Sequence, residues 1–335
     1  MTANLRSDIL RTKVQKIEDV QIEFCDIKER GTMENNTKLN QTKGYIMIAI
    51  AGILWGTIGL FVSLLKNLGA ESELIVVIRI GTATILLIPL MLASGGPALF
   101  KADKQTIVAC IAMGIFSQAL FNYSYSESIN NVGVATGAVL LYTSPIFVSV
   151  MSRIVFKEHV GKVKVLALFI NIIGCTLTVT GGNFTSVKFS VYGVAMGVLA
   201  GFLYGLMTII STPVTEKNHP LTIVFYQFLF GTITMALITH PFAGVSQLIS
   251  PAFVLAAIGY GLIPTVGSYF FYMHGLSHGL ETSKVPVVAS IETVVAAVIG
   301  IFVFSESMSL FKLLGIVLVL SSIAIMNMVK PKKKD

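Results

Sequence analysis

The stretch KVPVVASIETVVAAVIGIFVF, Lys284 to Phe304, is almost entirely valine, alanine and isoleucine, yet Glu292 stands near its middle. A charge at the centre of an apolar helix in lipid costs roughly 2.5–3.5 kcal/mol on insertion scales, so ionisable groups kept there face a bundle interior or a water-filled cavity. Three roles suit such a carboxylate: a ligand for a cation or amine, a carrier of protons, or a protonated structural group. Other polar side chains lie inside apolar runs. Gln118, Asn122 and Tyr125 are spaced to share one helix face. Tyr142, Ser144 and Pro145 interrupt another run, Tyr226 and Gln227 a third, Tyr269 and Tyr272 a fourth. Singly, each reads as an interhelical hydrogen bond worth about 0.6 kcal/mol. Concentrated in a few runs, they point to a shared polar cavity. Arg79 lies within the first turns of a run and reads as a snorkelling cation with Glu71 or Glu73 as partner.

These residues need elements that hold them in lipid. The chain of 335 residues is 54% hydrophobic and only 12% charged, about half the charge of a soluble domain. Ten apolar runs are long enough to span a bilayer, near Gly44–Leu65, Leu74–Ala93, Gln105–Tyr125, Val132–Val155, Val163–Gly181, Ser190–Thr212, Leu221–Phe242, Pro251–Met273, Thr282–Phe304 and Ser309–Val329. The net charge of +7 is no nucleic-acid signal, because the basic residues cluster between runs and at the ends. With the N-terminus cytoplasmic, the inner side receives Lys38, Lys43, Lys101, Lys104, Arg153, Lys157, Lys162, Lys164, Lys217 and the tail lysines, and the outer side keeps only Lys66, Lys188 and Lys312. The expectation is a multi-pass plasma-membrane protein, of bacterial type, with both termini cytoplasmic.

No G-x-S-x-G elbow, Walker loop or metal-ligand spacing is present, and Cys25, Cys110 and Cys175 are scattered. The chain therefore reads as a non-enzyme without metal or cofactor. Residues 1–43 read as a polar, disordered tail; KERGT before Met33 is also compatible with a start there, leaving residues 1–32 untranslated. Residues 330–335 read as a basic cytoplasmic tail.

The chain repeats itself. GYIMIAIAGILWGTIGLFVS from Gly44 aligns with GVAMGVLAGFLYGLMTIIST from Gly193, which pairs Gly52 with Gly201, Gly56 with Gly205 and Trp55 with Tyr204. FKEHVGKVKVL at Phe156 aligns with FSESMSLFKLL at Phe304, which sets Ser144 opposite Glu292 and Pro145 opposite Thr293. The repeats cover residues 44–181 and 190–329. Five spans each is an odd number, so the second copy enters the membrane from the opposite side. Transporters built this way bind their solute at the midplane between the halves. The G-x-x-x-G pairs predict close helix packing. Glu158 and Glu306 occupy equivalent places near the starts of the fifth and tenth spans, where a carboxylate complements the helix dipole.

GILWG in the first span, YTSP in the fourth, FKE after it and IET, FSE and LLG in the second half resemble the EamA-type permeases of the drug/metabolite transporter superfamily. The resemblance implies an all-α membrane fold of ten helices in two inverted five-helix repeats, and ATP-independent transport of small metabolites, often amino acids or related compounds. It places Trp55, Tyr142, Pro145 and Glu292 on the family pattern; Thr293 departs from it, where the family often has proline. The expected function is a secondary transporter of a small polar metabolite by alternating access, with protons as a candidate coupling ion. Glu292, Tyr142, Ser144, Pro145, Trp55, Asn122, Gln118, Tyr269 and Tyr204 are the expected substrate-binding residues. Two other readings of the same fold are a flippase for a lipid-linked substrate and a membrane sensor that does not transport.

Overall fold

A computed structural model describes residues 39–183, 190–239 and 248–328. The proposed internal start at Met33 and the basic C-terminal tail lie outside them. By contacts the chain divides into a short leading unit, Met1–Lys43, and a membrane unit, Gly44–Asp335. Among the described residues, ten helices are long and apolar enough to span: α1 Leu39–Asn67, α2 Ser72–Phe100, α3 Lys104–Val132, α4 Val134–Val155, α5 Lys162–Thr180, α6 Val191–Thr215, α7 Pro220–Thr239, α8 Pro251–Leu276, α9 Thr282–Phe304 and α10 Leu310–Met328. The shortest, 19 residues, reaches about 28 Å at 1.5 Å per residue, close to the hydrocarbon thickness. Helices satisfy their own backbone groups, which lipid cannot do. The outer face carries Ile85, Ile154, Leu255 and Phe302, all strongly exposed, as a lipid-facing surface requires.

The inverted repeat governs how the helices pack. Helix α2 lies along α7 and α5 along α10, each on its mate from the other half; α3 and α4 pack on α6, as α8 and α9 pack on α1. Several local irregularities come in pairs, although the interruption of α1 at Thr57 has no counterpart in α6, continuous over Val191–Thr215. Helix α3 widens to π geometry over Met113–Leu120, and α8 does so over Leu262–Gly267. In α8 the cause is visible: Pro264 has no N–H for the α-ladder, and Thr265 Oγ1 donates to the carbonyl of Tyr260 at 2.8 Å. Helix α4 breaks at Tyr142–Thr143, and α9 breaks at Ser290, which the repeat aligns with Tyr142.

Pro145 follows the break in α4 and removes the N–H that would reach Leu141; Thr143 Oγ1 donates instead to the carbonyl of Leu140 at 2.6 Å. The α9 break forms without proline. Ser290 Oγ donates to the carbonyl of Val287 at 2.6 Å, and Thr293 Oγ1 donates to that of Ser290 at 2.6 Å. Asn171 of α5 then anchors the break by donating to Ser290 Oγ at 2.6 Å. Side-chain hydroxyls thus do in α9 what an imide does in α4.

The paired glycines hold both breaks. A Cβ on Gly52 would lie 2.6 Å from the Ala289 carbonyl oxygen, and one on Gly56 2.9 Å from that of Glu292. On α6, a Cβ on Gly201 would lie 3.0 Å from the Leu140 carbonyl oxygen, and one on Gly205 2.9 Å from Val148 Cγ2. Helix α3 runs beyond the expected Tyr125 to Val132. Its polar end stays helical because glycines of α6 pack against it: Cβ atoms on Gly193 and Gly197 would meet Asn131 Cβ and Ser128 Oγ, each at 2.6 Å.

Gly52→Ala is expected to cost about 1–3 kcal/mol through overpacking, read as a lower melting temperature in detergent. Gly59→Ala, where a Cβ meets nothing within 4 Å, is expected to leave stability level or slightly raised. Equal melting temperatures for the two variants would contradict the packing assigned to Gly52.

Candidate functional site

Glu292 occupies the first turn after the α9 break. The break lifts the local helix out of register and turns the carboxylate into the space between the halves, where it is only half-buried. Aromatic side chains form the walls. Trp55 of α1 meets Tyr204 of α6, Tyr269 of α8 and Tyr272 of α8 at centroid distances of 6.2, 5.3 and 5.1 Å. Phe121 of α3 stands 5.5 Å from Tyr204 and 6.0 Å from Tyr125. Trp55 and Tyr204 are repeat mates, so their contact marks the pseudo-two-fold axis. The charge of Glu292 reaches the hydroxyls of Tyr125, Tyr142, Tyr204, Tyr269 and Tyr272. Among the described residues its carboxylate has no hydrogen bond and no ion pair. An uncompensated carboxylate walled by aromatic faces suits an organic cation, which gains from the charge and from the rings together.

A second arm of polar groups leaves this box along α3. Gln118 donates from Nε2 to the Tyr269 hydroxyl at 3.1 Å. Asn122 donates from Nδ2 to the carbonyl of Gln118 at 2.5 Å, the carbonyl at the end of the π stretch. Its Oδ1 accepts from Arg79 Nη2 at 3.1 Å, and the guanidinium lies within electrostatic reach of the Tyr260 hydroxyl. Arg79 is 7% exposed and points inward. The expected snorkelling toward Glu71 or Glu73 is therefore corrected: α2 begins at Ser72, so Arg79 is two turns deep, on the face that meets α8 and the polar side of α3.

Of the nine expected binding residues, Glu292, Trp55, Tyr204, Tyr142 and Tyr269 surround the box, and Gln118 and Asn122 form the arm. Ser144 and Pro145 are buried in the α4 break, with Gly205 of α6 against the Ser144 carbonyl. Sequence reading passed over Asn171, Ser290, Thr208 and Arg79 as members of this polar interior. Thr208 and Tyr272 share a 2.6 Å hydroxyl bond. Asn171, the one asparagine in its apolar run, was open to the criterion that selected Asn122.

The two matched glutamates act differently: Glu158 on the other half, Glu306 on the first turn of the helix that follows it. The Glu158 carboxylate accepts from the backbone N–H groups of Thr282 and Ser283 at 2.6 and 3.0 Å, capping α9 rather than α5. Beside it, Lys164 and Lys284 flank Glu281 at 3.1 and 2.9 Å, and Lys164 also donates to Ser283 Oγ at 3.2 Å. These bonds tie the two halves together at the membrane face where α4 ends and α9 begins. At the opposite face Glu306 stays within its own half, 52% exposed and paired with Lys312 at 2.7 Å.

The sequence matches the EamA-like transporter family twice, over residues 42–180 and 191–328. An uncharacterized transporter of Archaeoglobus fulgidus is 26% identical over 84% of this chain and 95% of its own. The uncharacterized inner membrane transporter YicL of Salmonella typhimurium is 22% identical over 85% and 95%, and the uncharacterized transporter YwfM of Bacillus subtilis 22% over 86% and 95%. A solved crystal structure superposes with a TM-score of 0.71 over 85% of this chain and 96% of its own, at 15% identity, a likeness of fold. Family and relatives point to transport rather than catalysis. With ten spans in two repeated halves, the chain is a multi-pass membrane transporter of the EamA-like family.

Proposed function

We propose that the protein is a secondary transporter of a small polar metabolite carrying an amine, such as an amino acid or related compound, and that Glu292 is its central binding group. The observation that carries this reading is the unpaired carboxylate at a helix break, walled by Trp55, Tyr142, Tyr204 and Tyr269. A buried charge with no partner is costly, and an ammonium group supplies the partner. A proton supplies it too, which makes Glu292 the natural point at which a proton gradient couples to transport.

Alternating access follows from the unequal ends. One face is tied by Glu158 to the α9 N-terminus, while the mate, Glu306, pairs with Lys312 of its own half and does not bridge the two halves. The repeat aligns Thr282 and Ser283 with Val134 and Ala135 at the start of α4. Exchanging the two halves makes Glu306 cap α4 and frees Glu158, so the cavity opens to the other side.

In proteoliposomes, Glu292→Gln is expected to abolish gradient-driven flux of an amine-bearing metabolite, found from a panel run with and without a pH gradient, while Glu73→Gln on an exposed turn keeps it. Residual exchange without a gradient in Glu292→Gln would assign the residue to protons alone, and loss of exchange would assign it to substrate. Wild-type flux at equal protein level would remove both roles. For the tied end, Ser283→Cys is expected to react slowly with a membrane-impermeant thiol reagent and several-fold faster when combined with Glu158→Gln, because that change removes a charge-assisted cap. Unchanged labelling would contradict the latch.

A further inference from the structure

The central box leaves Arg79 unexplained. It is a cation inside the bundle whose hydrogen-bond partner, the Asn122 carboxamide, is neutral, as is the nearby Tyr260 hydroxyl. No described carboxylate pairs with it. Its Nε is buried without a hydrogen bond, and so are Gln118 Oε1 and both terminal atoms of Gln227. Gln118 and Gln227 sit at one helix crossing: a Cβ on Gly231, one turn beyond Gln227, would lie 2.7 Å from Gln118 Cβ, and a Cβ on Gly114 would lie 3.0 Å from the Gln227 carbonyl oxygen. Of these unbonded atoms, Arg79 Nε and Gln227 Nε2 are donors and the two Oε1 atoms are acceptors; buried donors are rarely left unfilled in a settled core. A guanidinium fork with amide donors close by is the arrangement that takes a planar oxyanion.

Arg79 and Glu292 both lie within electrostatic reach of Tyr269 yet form no ion pair with each other. Tyr269 links them: its hydroxyl accepts from Gln118, its ring packs on Trp55, and it feels the charges of both Arg79 and Glu292. A permanent ion pair between the two would close the site. Held apart, each keeps an open valence of opposite sign.

Resting on the reading of Glu292 as the amine site, we propose that Arg79, positioned by Asn122 and Tyr260 and assisted by Gln118, is a second subsite that binds the carboxylate end of the solute. The solute then lies with its ammonium at the α9 break and its carboxylate against α2 and α3. A solute with only one of these charges leaves the other protein charge uncompensated. Discrimination against it is expected to be on the order of tenfold to a hundredfold, the range of a hydrogen-bonded charge.

Isothermal titration of the full chain in nanodiscs tests this with three matched probe sets: the common L-amino acids, their carboxamides and their decarboxylated amines. The expected result is at least one amino acid that binds at least tenfold more tightly than its own amide and amine. Arg79→Gln is expected to bring that amino acid down to the level of its amine without moving the amine, and Arg79→Lys, which keeps the charge and loses the fork, to fall between. Amines that match amino acids in the wild type, or a preference that survives Arg79→Gln, would overturn the subsite. The wild-type comparison needs no variant, so it decides even if Arg79→Gln fails to fold. Amines that bind in a Glu292-dependent way with no gain from a carboxylate would sink the Arg79 proposal alone. Binding of all probes untouched by Glu292→Gln, or no binding of any probe, would sink the amine-site reading with it.

Discussion

The structure is organised around Glu292, a carboxylate within the apolar bundle that has no hydrogen bond or ion pair among the described residues. It stands in the first turn after the α9 break at Ser290 and is only half-buried. The break stands because Asn171 and Thr293 satisfy what the helix gives up, and because Gly52 and Gly56 let α1 lie directly on the displaced backbone. The aromatic walls lower the local dielectric and offer ring faces to a cation. Each of these features would be a defect in a purely structural bundle.

The inverted repeat supplies the second constraint. Paired irregularities, π stretches in α3 and α8 and breaks in α4 and α9, put two soft helices on each side of the axis. Rigid pairs, α2 with α7 and α5 with α10, frame them. The Glu158 cap and the Lys164–Glu281–Lys284 cluster close the face where α9 begins, while Glu306 pairs locally with Lys312. On the transport reading, the two halves trade these roles during the cycle.

Much of this was legible in the residues alone. Spans and repeat could be read because lipid forces backbone groups into long apolar helices, and because duplicated packing keeps glycines and aromatics in register. The G-x-x-x-G pairs announced close approach, but no local pattern says that their partner is a broken helix rather than a straight one. Arg79 misled because two helical turns from an end look like the interface. Its true environment depends on Asn122 and Tyr260, far away in sequence and brought near only by packing. Glu158 misled for the same reason: a carboxylate before a helix suggests that helix's dipole, yet the N–H groups it meets belong to α9. The α9 break had no proline to signal it, since serine and threonine hydroxyls do that work after the chain has folded.

Trp55 is the chain's single tryptophan, and it stands in the wall of the box against Tyr204, Tyr269 and Tyr272. Its fluorescence therefore reports the site without any label. Titration of the transported metabolite into purified protein in nanodiscs should give a saturable change in Trp55 emission, with a midpoint matching the concentration for half-maximal flux, and no change in Glu292→Gln. Transport that proceeds while Trp55 emission stays flat, or an identical titration curve in Glu292→Gln, would contradict the placement of the solute at this carboxylate.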